Sequence, residues 1–179
     1  NPFYELGDMR QTVWARVESA PRSWLRTGVG ARLSDVAFGA IDDRLTTFGA
    51  DVTVDTRVDP ALPRNAVFVS LGIERLGFAS ESLGPEPPPD PALSARRVTV
   101  DARGYVGLIR QAVLALRAQS VTTSEPVPAF EQQLAGGIPS LRGYDVGSFA
   151  ADNLAALSAE LLLPLTSPLN VGRLGIKLF

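Results

Sequence analysis

Along most of the chain, apolar and polar residues take turns one for one. Val13, Ala15 and Val17 alternate with Thr12, Arg16 and Glu18, which predicts a strand near residues 9–20 closed by a tight turn at Pro21-Arg22. Over 23–38, Leu25, Val29, Ala31 and Leu33 alternate with Arg26, Gly28, Gly30 and Arg32. A third strand, 44–57, sets Phe48, Ala50, Val52 and Val54 opposite Asp51, Thr53, Asp55 and Arg57. Asp59-Pro60 through Pro63-Arg64-Asn65 reads as a turn, because proline fixes φ and lacks a donor. In a fourth strand, 65–78, Val67, Val69, Leu71 and Ile73 face away from Ser70, Gly72 and Glu74.

Residues 84–91, Gly-Pro-Glu-Pro-Pro-Pro-Asp-Pro, cannot join a ladder and predict an exposed loop. Beyond it, Val98, Val100 and Ala102 alternate with Arg97, Thr99, Asp101 and Arg103, and the run 108–120 continues the pattern. A long loop, 121–151, precedes two further strands at 152–165 and 169–179; only 152–163, rich in Ala and Leu, also reads as a helix. The expected fold is therefore all-β, an antiparallel meander of about eight long strands.

Alternation alone fits a soluble sandwich as well as a barrel wall. Three features favour the wall. Several strands exceed the usual length of about 5–6 residues. Turns are short at one end and long at the other (79–93 and 121–151), as in outer-membrane barrels. The apolar face is mostly Val, Leu and Ala, which suits fluid lipid better than an interlocked core. No apolar run is long enough for a transmembrane helix, but a barrel strand needs only about 9–11 residues.

Composition removes several function classes. The 179 residues contain no Cys and no His, so thiol chemistry, a Cys/His zinc site and histidine acid–base catalysis are excluded. A net charge of −2 with both signs interspersed argues against nucleic acid. Gly28-Val29-Gly30 lacks the third glycine of a dinucleotide loop. Asp42-Asp43 and Asp51/Asp55 could be drawn as a metal or glycosidase pair, but acids on a sheet's polar face are more often lumen or solvent charges. The expectation is a non-enzyme with no cofactor and no metal.

The most informative stretch is Gly136-Gly137-Ile138-Pro139-Ser140-Leu141-Arg142-Gly143-Tyr144, followed by a strand with one acid, Glu160, among apolar neighbours. A guanidinium is always charged and carries five donors in a planar fork; held in a lumen it needs a carboxylate, since an unpaired desolvated charge is costly. Gly143 admits backbone conformations closed to other residues, Gly136-Gly137 would loosen the loop's descent, and Tyr144 can pack its ring while its hydroxyl stays wet. Glu160 shares the less apolar face of its strand with Ser158 and should point inward.

Leu141-Arg142-Gly143-Tyr144 with Glu160 downstream resembles the loop-six motif and following strand of the BamA-like outer-membrane assembly barrels. This surface-antigen superfamily includes the two-partner secretion transporters. Asp55 to Arg64 resembles the family's D-x-R-x-x-P…P strand–turn, and Gly104-Tyr105 to Arg117 is similar to the strand entering loop six. The resemblance implies that residues 1–179 are a partial outer-membrane β-barrel domain, roughly the sixth to thirteenth of sixteen transmembrane strands. The long loop would fold inward, with Arg142 meeting Glu160 and pinning loop six inside. It further implies insertion or translocation of polypeptides at the bacterial outer membrane without cofactor. The implied partners are outer-membrane lipid, unfolded β-barrel or secreted clients, and accessory assembly proteins.

Three departures stand beside it. No POTRA repeats are present, and the family's second acid would fall beyond Phe179. Alternation from Phe179 back through Lys177 and Arg173 also disagrees with a terminal barrel strand. A passive outer-membrane pore and a soluble β-sheet binding domain remain as alternatives.

Overall fold

A computed structural model describes residues 8–39, 41–60, 63–79, 94–109, 112–137, 141, 143–166 and 174–178. Seven long strands lead the architecture: β1 (Asp8–Arg22), β2 (Leu25–Phe38), β3 (Ile41–Asp55), β4 (Ala66–Phe78), β5 (Ser94–Gly107), β6 (Val113–Thr123) and β9 (Leu154–Thr166). Short β7 (Gln133–Ala135) and β8 (Phe149–Ala151) form a separate hairpin within the β6–β9 connection, and β10 (Leu174–Leu178) closes the order. The main sheet is an eight-stranded antiparallel meander, β1-β2-β3-β4-β5-β6-β9-β10. Among the described residues it is an open sheet, with β1 and β10 as its edges.

The expected strands are all present, with shifted ends. The first turn falls at Ser23-Trp24 rather than Pro21-Arg22, because β1 continues past a register shift between Ser19 and Arg22. The sixth strand begins at Val113, not 108: Leu108 and Ala112 close a turn through a Leu108 N–H to Ala112 carbonyl bond of 2.7 Å. Residues 154–163 are strand, so the helical reading fails; an Ala/Leu segment takes the conformation its ladder partner β6 offers. Phe179 and residues 84–91 lie outside the described residues.

The two faces differ sharply. One carries Val13, Val17, Val29, Leu33, Phe48, Val67, Leu71, Ile73, Val98, Leu116 and Leu157, all exposed, with Leu157 at 85%. A contiguous apolar surface of that kind marks an interface, and strands of 11–15 residues are long enough to cross a hydrocarbon layer. We call it the outer face. The other, the loop face, is floored with polar and small residues: Arg16, Gly28, Gly30, Arg32, Thr47, Gly49, Asp51, Ser70, Gly72, Glu74, Thr99, Asp101 and Arg117.

Glycine on the loop face leaves room for charged side chains to lie flat. Arg16 in β1 reaches over Gly28 to Asp51 in β3, donating at 2.6 and 2.9 Å. A Cβ on Gly28 would collide with the Arg16 guanidinium and come within 2.9 Å of the Asp51 carboxylate. Cross-strand hydroxyl pairs, Thr12–Ser34 at 2.9 Å and Thr53–Ser70 at 3.1 Å, line the same face.

This two-sidedness is directly testable. Leu71→Arg on the outer face should cost about 2–4 kcal/mol in urea unfolding from lipid vesicles, whereas Gln119→Arg, on the loop face opposite Asp101, should change stability by well under that. Equal costs at the two positions would contradict the assignment of faces.

Candidate functional site: the loop anchored on the polar face

The connection between β6 and β9 does not hang in solvent. Its first limb enters the loop face and covers an apolar cluster of Val36, Phe38, Leu45, Leu76, Phe78, Ala95, Val127 and Phe130. Phe130 meets Phe78 edge-on at 6.4 Å between ring centroids. The cluster occupies the loop end of the strands, so the polar wall below it remains open. This core was not expected from alternation, because Phe38, Leu45, Leu76 and Phe78 sit at the strand ends on the nominally polar face.

At the base of this limb, a single 3-10 turn at Ala129–Glu131 delivers Glu131, whose side chain is 6% exposed. Two arginines from distant strands meet it. Arg97 of β5 donates from Nη2 to the Glu131 carbonyl at 2.9 Å and pairs with Oε2 at 2.9 Å. Arg10 of β1 donates from Nη1 to Oε1 at 2.8 Å and from Nη2 to the Phe130 carbonyl at 2.5 Å, with its guanidinium 5.7 Å from the Phe130 ring centre. Glu74 of β4 stands 3.7 Å from Arg97 Nη1. The cluster thus holds two cations and two anions, which is what makes burial of Arg97 and Glu131 tolerable.

The second limb is tied by its own side chains. Asp152 Oδ1 accepts from the Val127 N–H at 3.2 Å and from Gln132 Nε2 at 3.4 Å, while Asn153 Oδ1 accepts from the Thr123 N–H at 2.7 Å. These bonds close the loop where it leaves β6 and enters β9.

The motif residues can now be placed. Gly136 and Gly137 both have positive φ, +131° and +76°, and sit where the limbs cross. A Cβ on Gly136 would collide with the Asp145 carbonyl, and one on Gly137 would come within 2.7 Å of the Val146 side chain. Their role here is close approach. Gly137 donates its N–H to the Tyr144 carbonyl at 2.9 Å and bridges to Leu141. Gly143 has φ +91° with open space around it, a conformation that glycine favours. Tyr144 is exposed and its ring meets Phe149 of β8 at 5.3 Å, edge-on, so its aromatic contact is within the loop. Glu160 lies in β9 opposite Ala115, at a half-buried position on the loop face, as its alternation predicts. Arg142 lies outside the described residues, so the expected Arg142–Glu160 contact is not part of this description.

A second charged cluster occupies the opposite end of the same face. Asp101 receives Arg103 at 2.6 and 3.1 Å and Arg117 at 2.8 and 3.0 Å. The Asp55-x-Arg57 segment forms its own bidentate pair, both bonds 2.8 Å, and Arg57 and Arg103 lie 4.5 and 4.9 Å from the Phe68 ring centre. The strand–turn motif therefore has a local physical purpose: it neutralises a charge and caps an aromatic where the wall ends.

A loop packed on the polar face of a long-stranded antiparallel meander, whose other face is apolar and exposed, is the arrangement expected of one wall of a membrane β-barrel. The chain belongs to the Omp85 superfamily, whose domain matches residues 22–179. Membership points to an outer-membrane protein acting in polypeptide insertion or translocation in general. Comparison with curated proteins returned no match.

Sequence reasoning passed over Arg10, Arg97 and Glu131. Arg97 was recognisable as a polar-face residue, and Phe130-Glu131 just beyond Pro126 and Pro128 is an aromatic–acid pair. Their meeting across 121 and 34 residues of chain has no local signal.

Glu131→Gln should leave Arg97 buried without its main counter-charge and cost about 3–5 kcal/mol. The readout is limited proteolysis in detergent, where cleavage within 124–153 should accelerate while the strands stay resistant. Unchanged cleavage would show that the loop is held by other contacts.

Proposed function

We propose that this chain forms the wall and loop-six brace of a sixteen-stranded barrel that inserts or translocates polypeptides at the bacterial outer membrane. The observation that carries the reading is the clamp on Glu131 by Arg97 and Arg10, which draws the β6–β9 connection onto the polar face of the wall. A passive pore has no need of such an anchored loop. Membership of the superfamily supports the same class of activity.

In this reading Arg142 completes the anchorage at Glu160, whose place on the loop face suits a cation from the loop. The bidentate fork of an arginine gives a fixed orientation as well as charge. Further strands extend the sheet from its β1 and β10 edges, and the surrounding partner is outer-membrane lipid. The clients are unfolded β-barrel or secreted polypeptides, met through main-chain hydrogen bonding at a strand edge, with accessory assembly proteins beside the barrel. No cofactor or bond-making chemistry is required, so the protein is read as a non-enzyme.

Arg142→Ala and Glu160→Gln in the full-length protein should each abolish most client insertion or secretion. An Arg142→Lys variant should recover only part, because it keeps the charge and loses the fork. A protein in which these changes alter single-channel conductance but leave client handling at wild-type level would be a pore, and the proposal would fall.

A further inference from the structure

Among the described residues, apart from Arg22 at the β1–β2 turn, charged side chains on the outer face gather near the loop end of the strands. There Arg75 of β4 and Arg96 of β5 are direct cross-strand partners, with Phe48 of β3 opposite Arg75 on its other side. Both arginines are exposed, and neither side chain has a partner among the described residues. Like charges directly opposite on one face sit about 4.5–5.5 Å apart at Cβ and repel. The carboxylate next along the chain, Glu74, turns to the loop face, where it stands beside Arg97. By contrast Arg44, on the outer face nearer the loop end, is paired with Asp35 at 2.9 Å.

Adjoining the two arginines, Val29, Phe48, Ala50 and Ile73 floor a shallow trough of about 430 Å³. Phe48 is 60% and Ile73 51% exposed, so the floor is bare apolar surface. An apolar trough on a lipid-facing wall, with two cations unpaired among the described residues at its rim, combines two requirements. The floor accepts hydrocarbon, and the guanidinium pair accepts a doubly hydrogen-bonding anion. Arginine at mid-membrane is strongly unfavourable but becomes nearly neutral at the interface, which is where headgroup phosphates lie.

We propose that this trough binds an anionic membrane lipid, with Arg75 and Arg96 holding its phosphate and the Val29–Phe48–Ala50–Ile73 floor receiving the start of an acyl chain. The inference rests on the reading that the outer face meets lipid. It adds to it a specific headgroup site. Two planar forks on neighbouring strands can each donate a pair of N–H groups to one phosphate, and the anion relieves their mutual repulsion.

The test uses full-length protein purified in neutral detergent and probed by native mass spectrometry with phosphatidylglycerol, phosphatidylcholine or inorganic phosphate. The wild type should retain phosphatidylglycerol over phosphatidylcholine by about tenfold or more, the scale of two cations at an anionic surface. Arg75→Gln/Arg96→Gln should lose that preference while keeping the heat-modifiable mobility of a folded barrel, and Arg75→Lys/Arg96→Lys should retain part of it. If the double variant fails to fold, Arg96→Gln alone is read the same way. Three results would overturn the site: a glutamine variant that keeps the preference, a wild type that retains both lipids equally, or inorganic phosphate bound as tightly as the lipid. Failure of the lipid-facing wall itself looks different, since no lipid of either headgroup would then be retained.

Discussion

A carboxylate withdrawn from water must be met by cations, and Glu131 is met by two. Arg97 reaches it from β5 and Arg10 from β1, so one side chain in the loop ties together strands that are far apart in the sheet. The apolar cluster around Phe78 and Phe130 depends on the same contact, because the limb that carries Val127 and Phe130 is positioned by it. Hydrophobic burial there supplies attraction without direction. The charge pairs and the two arginine–carbonyl bonds supply the orientation.

The wall beneath is built to keep its charges flat. Arg16 crosses to Asp51 over Gly28, and Gly49 and Gly72 continue the bare strip beside Glu74 and Thr99. At the far end Asp101 gathers Arg103 and Arg117, and Asp55 holds Arg57. Opposite charges are thus paired along the surface of the sheet. The consequence for function is a face that is polar and open in the middle, closed at one end by a loop and lined at the other by compact ion pairs. The outer face carries the complementary pattern, apolar through its centre, with Arg75 and Arg96, unpaired among the described residues, near the loop end.

Much of this was legible from residue order. Alternation located every long strand, and its phase set the faces: Val67, Leu71 and Ile73 outward, Ser70 and Glu74 inward. It located Glu160 correctly on the loop face. Boundaries were less legible. Pro21 does not end β1, because a register shift absorbs it, and Leu108 and Ala112, expected within the sixth strand, are joined to each other by a hydrogen bond ahead of it. The 152–163 segment was ambiguous until its ladder partner β6 decided it. The clamp was illegible for a different reason: Arg10, Arg97 and Glu131 each look like ordinary surface charges, and only the path of the loop brings them together. Glycine pairs were legible as special positions but not in purpose, since Gly136 and Gly137 serve close crossing of the limbs.

The central claim is that the loop is held on the polar face by the buried pair of Arg97 and Glu131. A double-mutant cycle with Arg97→Gln and Glu131→Gln, read by urea unfolding of the full-length protein in lipid vesicles, isolates that pair. The account predicts a coupling energy clearly above the roughly 1 kcal/mol of exposed ion pairs. Additivity of the two substitutions within about 0.5 kcal/mol would contradict it.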